Sequence, residues 1–543
     1  MAPPRRIHTR GAVAPVVSTN TSIRVLVFHL IALVAVAGLF AFNVREHVFL
    51  TDDSYISFRY AEHLAQGHGL VWNPGERVEG YTNFLWVILM AAATRLGMRP
   101  ELASIGLGVA SGAVVLAGLV AFAAGRSSWR SPFIWVAPLG LAASRSFTAW
   151  CTGGLETMFF TLLVFGGYLT FLAEHRRGSS LPVGSSLLFA LASLTRPEGA
   201  LFMFVAGAFY SSQILMRKRS LKSGLLWAFP YVGIVGAHAL WRLSYYGFWL
   251  PNSFYAKVAG TWWDQGLRYL SLFAEDYAIL WFLPLVIVPL VLSRERFAPA
   301  LFLTAIATYL LYVTSVGGDR FEFRFLVVVF PYFYGLLADA VARIAELGRW
   351  SWRGVNPMVI VSGALAGTLL LTTHVVSQRP ERELERHGVA SLRLIEGYAT
   401  RRAAEGRFLR QLIDQGLLSK EIVLCVSGAG AVPFYTGWPT VDGLGINDVV
   451  IARSPVSGQR GTVGHERLVS LDYLRERQVV ILDAFNRLVY DNQDWRRLPR
   501  TVEYAGRVLP VRVVQAADRT LVFVTVCTEQ EFRRLFAGLQ IVR

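Results

Sequence analysis

Apolar residues in this chain are grouped in long uninterrupted runs rather than spaced at the short periods of a soluble helix or strand. Runs of about 17–25 apolar residues match the hydrocarbon thickness of a bilayer. The runs occupy 25–44, 101–124, 132–150, 155–173, 181–195, 198–215, 224–245, 277–293, 299–316, 323–342 and 356–377, and a shorter one covers 82–97. The pattern predicts an α-helical polytopic membrane protein.

The loops between these runs differ in charge, and the difference predicts the topology. Basic residues gather in the tail 1–22 and in the loops 125–131, 174–179, 216–222, 293–297 and 342–354. If all six face the cytoplasm, the runs between them must cross in pairs. Only the stretch from the tail to 125–131 breaks this rule, because it holds three runs. We therefore expect 82–97 to lie along the outer face, which leaves about 11 spans, the N-terminus inside and the C-terminus outside.

Composition agrees with a membrane protein and excludes a nucleic-acid-binding one. The 543 residues are 54% hydrophobic and 17% charged, whereas soluble domains are about 25% charged. The net charge of +16 comes from short loops between apolar runs, so we do not expect nucleic acid as a partner. The three cysteines have no zinc-site spacing. Cys425 and Cys527 lie on predicted strands, where a disulfide and two buried thiols are both possible.

From about residue 380 the sequence resembles a soluble domain. Residues 380–415 are charged and helical in period, and "EIVLCVSGAGAVPFYTG" predicts a strand, a tight turn and a helix. The segments "QVVILDAF" and "TLVFVTV" predict further strands. We therefore divide the chain into a cytoplasmic basic tail (1–22), a transmembrane module (23–379) whose first outer loop is 45–100, and an extracytoplasmic α/β domain (380–543).

The loops predicted to face outward carry paired acids and bases. They contain "TDDSYISFRYAEHLAQGHGLVWNPGERVEGYTN", "CTGGLE", "TRPEG", "YYGFWLPNSFYAKVAGTWWDQG" and "VGGDRFEFR". A charge near the bilayer centre costs about 2.5–3.5 kcal/mol, so charges at membrane depth persist where they line a polar cavity. The loops are therefore expected to meet in one polar site.

Group transfer on the outer face has no nucleotide sugar to use, so it needs a lipid-linked donor such as a sugar on a polyprenyl phosphate. It requires a carboxylate to accept a proton, cations for the leaving phosphate and a groove for the lipid. Asp52 and Asp53 are the candidate bases; alternatively, they only cap the helix that follows. That helix would place Asp52, Tyr55, Arg59 and Glu62 or His63 on one stripe.

Other residues of these loops are candidates for binding the donor and acceptor. The candidate phosphate ligands are Lys257, Arg196, Arg324, Arg320 and Arg59, although any of them could instead be a cation at the membrane edge. The candidate substrate-binding residues are Glu156, Glu198, Asp319, Tyr81, Asn83, His68 and His465. Trp72, Tyr81 and Trp86 could stack on sugar faces, whereas Trp262 and Trp263 are better explained by an interfacial aromatic belt. No metal site is indicated, and a divalent ion remains possible.

Six ordered stretches carry a resemblance to a known family. They are "TDDSYISFRYAEHLAQGHGLVWNPGERVEGYTN", "TGGLET", "LTRPEGAL", "YYGFWLPNSFYAK", "GGDRFEFRFL" and "GLGINDVVIA…GHE". Together they resemble the GT-C superfamily of polyprenyl-phosphate-sugar glycosyltransferases, and within it the terminal β-(1→2)-arabinofuranosyltransferases of mycobacteria. In that superfamily an acid of the first outer loop acts as the base. The resemblance implies Asp52 in this role first, and Asp53 next.

The resemblance implies a function as well as a fold. The expected activity is transfer of a sugar, with arabinofuranose as the first candidate, from a polyprenyl-phosphate donor to an envelope glycan or glycolipid. The expected location is the bacterial inner membrane, with the site on the outer face. Two alternatives stay open, a transporter or flippase of lipid-linked glycan and an O-antigen-type ligase. A transporter would favour internal repeats and charges in mid-span, and we find no repeat.

Overall fold

The computed structural model describes residues 19–178, 182–257, 260–347, 356–377, 384–385, 387–455, 467, 469–491 and 493–543. The first part of the chain is helical. Its helices are α1 (Thr19–Glu46), α2 (Asp52–Ala65), α3 (Phe84–Arg95), α4 (Pro100–Arg126), α5 (Val136–Ala142), α6 (Arg145–Ala149), α7 (Thr157–Arg177), α8 (Gly184–Thr195), α9 (Gly199–Leu215), α10 (Leu221–Tyr246), α11 (Asn252–Lys257), α12 (Trp263–Asp276), α13 (Leu283–Leu292), α14 (Phe297–Ser315), α15 (Phe330–Glu346) and α16 (Pro357–Ser377). Short 3₁₀ segments precede three of them, at Pro132–Trp135, Ile279–Trp281 and Arg324–Val329.

Seven helical segments in the described part of the chain are long and apolar enough to cross a membrane. They are Ile23–Glu46, Pro100–Arg126, Thr157–Arg177, Leu221–Tyr246, Phe297–Ser315, Arg324–Glu346 and Pro357–Val375. A bent pair, Trp263–Asp276 with Ile279–Leu292, turns by 75° and makes an eighth if it is one span. The protein is thus a multi-pass membrane protein, as the sequence predicted.

The expected count of about 11 spans is not confirmed, because three predicted runs form only short helices. The run 132–150 is divided between a 3₁₀ turn, α5 and α6. The run 181–195 yields the 12 residues of α8, and 198–215 the 17 residues of α9. At 1.5 Å per residue these two helices are about 18 and 26 Å long, against about 30 Å of hydrocarbon.

The helix α3 corresponds to the run that the charge pattern excluded from crossing. It has 12 residues and is therefore about 18 Å long, too short to span a bilayer. Trp86 and Met90 on this helix are buried, and they belong to an apolar cluster shared with α2 and the C-terminal region. Its length is consistent with the predicted location along the outer face, which stays a prediction.

The C-terminal region is an α/β domain with one eight-stranded sheet. Its helices are α17 (Leu392–Asp414), α18 (Ala431–Thr436), α19 (Val449–Ala452), α20 (Leu471–Glu476) and α21 (Glu529–Leu535), with a 3₁₀ turn at Gln493–Arg497. Its strands are β1 (Leu424–Val426), β2 (Thr440–Asp442), β3 (Ile481–Leu482), β4 (Val489–Tyr490), β5 (Thr501–Tyr504), β6 (Arg507–Ala516), β7 (Arg519–Thr525) and β8 (Gln540–Ile541). We call this region the outer domain, after its predicted location.

The sheet order is β2-β1-β3-β7-β6-β5, with β4 on β7 and β8 on β6. The strands β2, β1 and β3 are parallel, while β3, β7, β6 and β5 pair antiparallel. The strand–turn–helix prediction for the segment around β1 is confirmed, as are the strands β3 and β7. The sequence did not reveal the long hairpin of β5 and β6.

Two apolar cores position the functional region. One core lies within the helical module and extends to Leu384, Val389 and Leu392 at the start of the outer domain. The other joins Tyr55 and Phe58 of α2 to the outer domain. Burial of apolar area on both sides fixes α2 between the helical module and the outer domain.

Candidate functional site

The predicted first outer loop contains α2, as expected, but neither aspartate caps this helix. Thr51 is the N-cap, and its side-chain hydroxyl accepts a hydrogen bond from the Ser54 amide at 3.2 Å. The suggestion that Asp52 or Asp53 caps the helix is therefore wrong. Thr51 satisfies the cap, so both carboxylates are available for other partners.

Asp52 faces the outer domain. Its Oδ1 accepts a hydrogen bond of 2.9 Å from the amide of Ala431, the first residue of α18. The preceding Gly430 allows this approach, because a Cβ there would lie 2.0 Å from the Asp52 carbonyl oxygen. Asp52 is 6% exposed. Burial raises its pKa above the usual value, although Arg402 and the Ala431 amide oppose the rise.

Asp53 faces a group of cations from distant loops. Its Oδ1 pairs with Arg320 Nη2 at 2.6 Å, across 267 positions of sequence. Burial alone would raise the pKa of Asp53, but Arg320, Lys257 and Arg324 lower it to about 2. The structure therefore brings together both predicted bases and three of the five predicted phosphate ligands. We call Asp53, Lys257, Asp319, Arg320 and Arg324 the open cluster.

The loop that carries Arg320 and Arg324 is held from two sides. Arg324 Nε donates to Asp319 within the loop at 2.6 Å. The Ala390 amide donates to the Arg320 carbonyl at 2.7 Å, and Ala390 accepts from the Glu322 amide at 3.0 Å. The start of the outer domain thus fixes the backbone between the two arginines.

Glu322 anchors the same loop inward, and the sequence analysis did not identify it. Its buried carboxylate accepts from Ser146 Oγ at 2.6 Å and lies 3.3 Å from Arg145. Arg145 also pairs with Asp276 at 2.6 Å, and Trp150 Nε1 donates to the Glu322 carbonyl at 2.8 Å. Glu322 thus ties the segment between Arg320 and Arg324 to the helical module.

Lys257 ends α11, whose first residue is tied to the outer domain. The Asn252 amide nitrogen Nδ2 donates to the carbonyls of Gly445, Ile446 and Asp448 at 2.9, 3.0 and 3.1 Å. The loop "GLGIND" therefore binds the start of α11 and thereby positions Lys257 at the end of this helix. The Lys257 side chain is exposed.

Arg196 lies close to the open cluster but has its own partners. It pairs with Glu156 at 2.7 Å and Glu198 at 2.8 Å. Its guanidinium lies 4.9 Å from the Phe325 ring, and Arg324 lies 5.2 Å from the same ring. Asn83 Nδ2 donates to Glu156 at 2.8 Å. This group contains two carboxylates for one arginine, so it has no positive charge to offer a phosphate.

Arg59 is placed differently from the other predicted phosphate ligands. It is 2% exposed and donates to the carbonyls of Trp72, Pro433 and Trp438 at 2.7, 2.6 and 2.9 Å. It lies on the predicted stripe with Asp52 and Tyr55, and the whole stripe contacts the outer domain. These contacts attach α2 to the outer domain, and we do not count Arg59 among the candidate phosphate ligands.

The remaining predicted substrate ligands do not converge on the aspartates. The buried Tyr81 hydroxyl bonds to Tyr246 at 3.0 Å. His68 is exposed at the far end of α2, with its ring 5.8 Å from that of His63. His465 lies outside the described residues. Cys425 and Cys527 are both free thiols.

Residues of the outer domain complete the surroundings of Asp52, and no sequence motif identified them. Arg402 is fully buried and pairs with Asp483 at 2.5 Å and Glu405 at 2.8 Å. Tyr398, one turn earlier on α17, contributes to the electrostatic environment of Asp52. The described residues contain no cluster of three or more His, Cys, Asp or Glu side chains arranged to hold a metal ion.

Two curated relatives of this chain have the same name. The chain is 30% identical over 285 residues to the terminal β-(1→2)-arabinofuranosyltransferase of Mycobacterium tuberculosis, and this alignment covers 48% of the chain and 42% of that protein. It is 27% identical over 373 residues to the protein of the same name from Corynebacterium glutamicum, covering 60% and 52%. The chain thus spans about half the length of these relatives. No family model matches it.

A solved structure shares the fold over nearly the whole chain. ArnT from Cupriavidus metallidurans, bound to undecaprenyl phosphate, aligns with a TM-score of 0.55 and 13% identity, over 94% of this chain and 99% of that one. At this identity the likeness concerns the fold. The chain has a GT-C-like fold with a C-terminal α/β domain, which confirms the expected fold class.

Proposed function

We propose that this protein is an integral-membrane glycosyltransferase that moves a sugar from a polyprenyl-phosphate donor to an envelope glycan or glycolipid on the outer face. The observation that carries the proposal is the open cluster beside Asp52. Three cations from two loops lie around Asp53, beside Asp52, a further carboxylate whose pKa is raised. Arabinofuranose is the first candidate sugar, because both curated relatives are named arabinofuranosyltransferases.

The two aspartates have different roles in this mechanism. Asp52 is the proton acceptor, because its raised pKa makes it a better base than an ordinary aspartate. Asp53 has a pKa of about 2 and is a poor base at neutral pH. Its charge holds Arg320, Lys257 and Arg324 together until the phosphate of the donor arrives.

The reaction follows from this arrangement. The acceptor hydroxyl loses its proton to Asp52 as its oxygen bonds to the anomeric carbon of the sugar. The bond from that carbon to the phosphate oxygen breaks, and polyprenyl phosphate leaves with the electron pair. Arg320, Arg324 and Lys257 stabilise the charge that develops on the phosphate, as preorganised cations do in phosphate-leaving reactions.

The test is a transfer assay with purified full-length protein in lipid nanodiscs. Donors are polyprenyl-phosphoryl arabinofuranose, other polyprenyl monophosphate sugars, and a pyrophosphate-linked oligosaccharide, each with a synthetic arabinofuranosyl oligosaccharide as acceptor. We expect transfer from a monophosphate donor. Transfer only from the pyrophosphate donor would identify a ligase, and movement of the lipid across the bilayer without transfer would identify a flippase.

A further inference from the structure

The carboxylate of Asp52 has one oxygen occupied and one available. Oδ1 is held by the Ala431 amide at 2.9 Å. No described residue donates a hydrogen bond to Oδ2, although the residue is only 6% exposed. Oδ2 does not belong to the buried polar atoms that lack a partner, so it keeps contact with solvent and can accept a hydrogen bond from a ligand.

Tyr398 of the outer domain reaches the same point. A Cβ built on Gly428 would lie 2.4 Å from Tyr398 Oη and 3.3 Å from Asp52 Oδ2. The two polar atoms therefore lie beside the same glycine, no farther apart than the sum of these two distances. Like Asp52 Oδ2, the Tyr398 hydroxyl has no hydrogen-bond partner among the described residues and keeps contact with solvent.

Gly428 lets the Tyr398 hydroxyl approach the backbone. Its own backbone does not adopt the left-handed conformation that favours glycine, unlike Gly437 and Gly445 in the same domain. The conformation would accept other residues, so what distinguishes glycine here is the missing side chain, whose place the Tyr398 hydroxyl takes. The glycine at 430 serves close contact in the same way, because α2 backbone fills the position of its Cβ.

The chemistry of the two atoms fits one kind of ligand. A carboxylate oxygen accepts a hydrogen bond, and a phenol hydroxyl both donates and accepts. Neighbouring hydroxyls on a sugar ring supply one donor to each. The two atoms belong to α2 and to the outer domain, whereas the three cations lie around Asp53.

We propose that Asp52 Oδ2 and Tyr398 Oη, which lie together beside Gly428, form the acceptor subsite, at which a vicinal diol of the acceptor sugar binds. Asp52 Oδ2 accepts the proton of the reacting hydroxyl, and Tyr398 orients the sugar through the neighbouring hydroxyl. The proposal rests on the proposed function and assigns to the outer domain a direct part in acceptor recognition.

The test separates acceptor binding from donor binding. In Tyr398→Phe one neutral hydrogen bond is lost, so the acceptor KM rises roughly 3- to 10-fold while the donor KM is unchanged. In Gly428→Ala the added methyl group displaces the Tyr398 hydroxyl, which lies 2.4 Å from its position, and kcat/KM for the acceptor falls further, again with donor KM unchanged. Thermal unfolding of each variant in nanodiscs checks that the domain stays docked.

Tyr435→Phe is the matched control. It removes a hydroxyl from the same interface, where Tyr435 bonds to Glu101 at 3.0 Å and to Arg407 at 3.2 Å. We expect it to leave the acceptor KM unchanged, so a rise in this control would attribute the effect to domain docking. An acceptor identical except for a methylated neighbouring hydroxyl should bind wild type and Tyr398→Phe equally.

Three outcomes would overturn the proposal. These are an unchanged acceptor KM in both variants, a parallel rise of donor and acceptor KM, and equal loss in Tyr398→Phe and Tyr435→Phe. All of them require a wild-type protein that transfers sugar. If wild type transfers nothing from any polyprenyl-phosphate donor, the proposed function itself fails, and that result is distinguishable from the other three.

Discussion

Two clusters of charged side chains at opposite ends of the helical module have different balances of cations and carboxylates. The open cluster has three cations, Arg320, Arg324 and Lys257, and two carboxylates. The second group, which we call the closed cluster, consists of Arg126, Glu295, Asp339, Arg343 and Glu346 and has two cations for three carboxylates. It lies at the C-terminal end of α4, a helix about 40 Å long, whose first turn is near the outer domain.

The two clusters also differ in the exposure of their side chains and in whether each cation forms an ion pair. In the closed cluster Arg126 pairs with Asp339 at 2.7 Å, and their side chains are 4% and 2% exposed. In the open cluster Arg320 and Asp53 are 30% and 25% exposed, and no described carboxylate forms an ion pair with Lys257. A cluster built around a buried ion pair supports the fold, whereas an accessible cluster with more cations than carboxylates can take an anion.

The largest expected effect is the loss of the base. In Asp52→Asn the amide oxygen still accepts the Ala431 hydrogen bond, but the side chain no longer accepts a proton. We expect kcat to fall about 100- to 10,000-fold, measured as single-turnover transfer with an unchanged thermal midpoint. In wild type, the rate should fall as the pH drops through the raised pKa of Asp52. Near-normal turnover of the variant would move the base to Asp53.

The next effect tests the closed cluster as a structural element. Arg126→Met leaves Asp339 with only Arg343 as a partner, in a site closed to water. We expect the free energy of unfolding to fall by about 3 kcal/mol, seen as a lower thermal midpoint in detergent. Donor KM of the folded fraction should be unchanged. Arg320→Met provides the contrast, with a smaller loss of stability and a weaker donor interaction.

A smaller effect is expected at Lys257. Lys257→Ala removes one of the three cations, so donor affinity should fall roughly 10-fold with acceptor KM unchanged. Inhibition by added polyprenyl phosphate measures the affinity directly. Lys222→Ala, an exposed lysine of the basic loop 216–222, is the control. Equal effects of the two substitutions would show that Lys257 acts only through general charge.

The smallest effect concerns the pH dependence of stability at Asp53. The pKa of Asp53 is about 2 in the folded protein, against an ordinary value of 3.8. Its ionised form therefore contributes stability that is complete above about pH 4 and is lost as pH falls toward 2. The difference in thermal midpoint between wild type and Asp53→Asn should be constant from pH 5 to 7 and should shrink below pH 4. A difference that varies between pH 5 and 7 would contradict the low pKa.

The membrane character was readable from the sequence because it depends on local composition. An apolar run of sufficient length is a property of the run itself, and seven helical segments confirm it. The number of spans was not readable in the same way. Runs such as 132–150 are apolar because they are buried within the module, where Trp135 and Phe147 are 6% and 0% exposed, and burial in protein demands the same composition as burial in lipid.

The candidate site was partly readable for a similar reason. Arg196 pairs with Glu198 and Arg324 with Asp319 inside single short loops, so proximity in sequence was enough. The interpretation of "SGAGAV" as a tight turn holds, but its contact with Asp52 joins positions 379 residues apart. Glu322 lies inside the quoted stretch "GGDRFEFRFL", but its role depends on the distant Ser146, and Arg402 likewise pairs with the distant Asp483.

The sequence by itself determined that the chain crosses a membrane, that a soluble α/β domain follows, and that an aspartate pair opens a helix after the first apolar run. These properties arise from local hydrophobicity and periodicity. Only the tertiary structure decided that adjacent aspartates have opposite surroundings, Asp53 among cations and Asp52 under the outer domain. The reason is geometric: successive residues of a helix point about 100° apart, so neighbours in sequence face different parts of the fold.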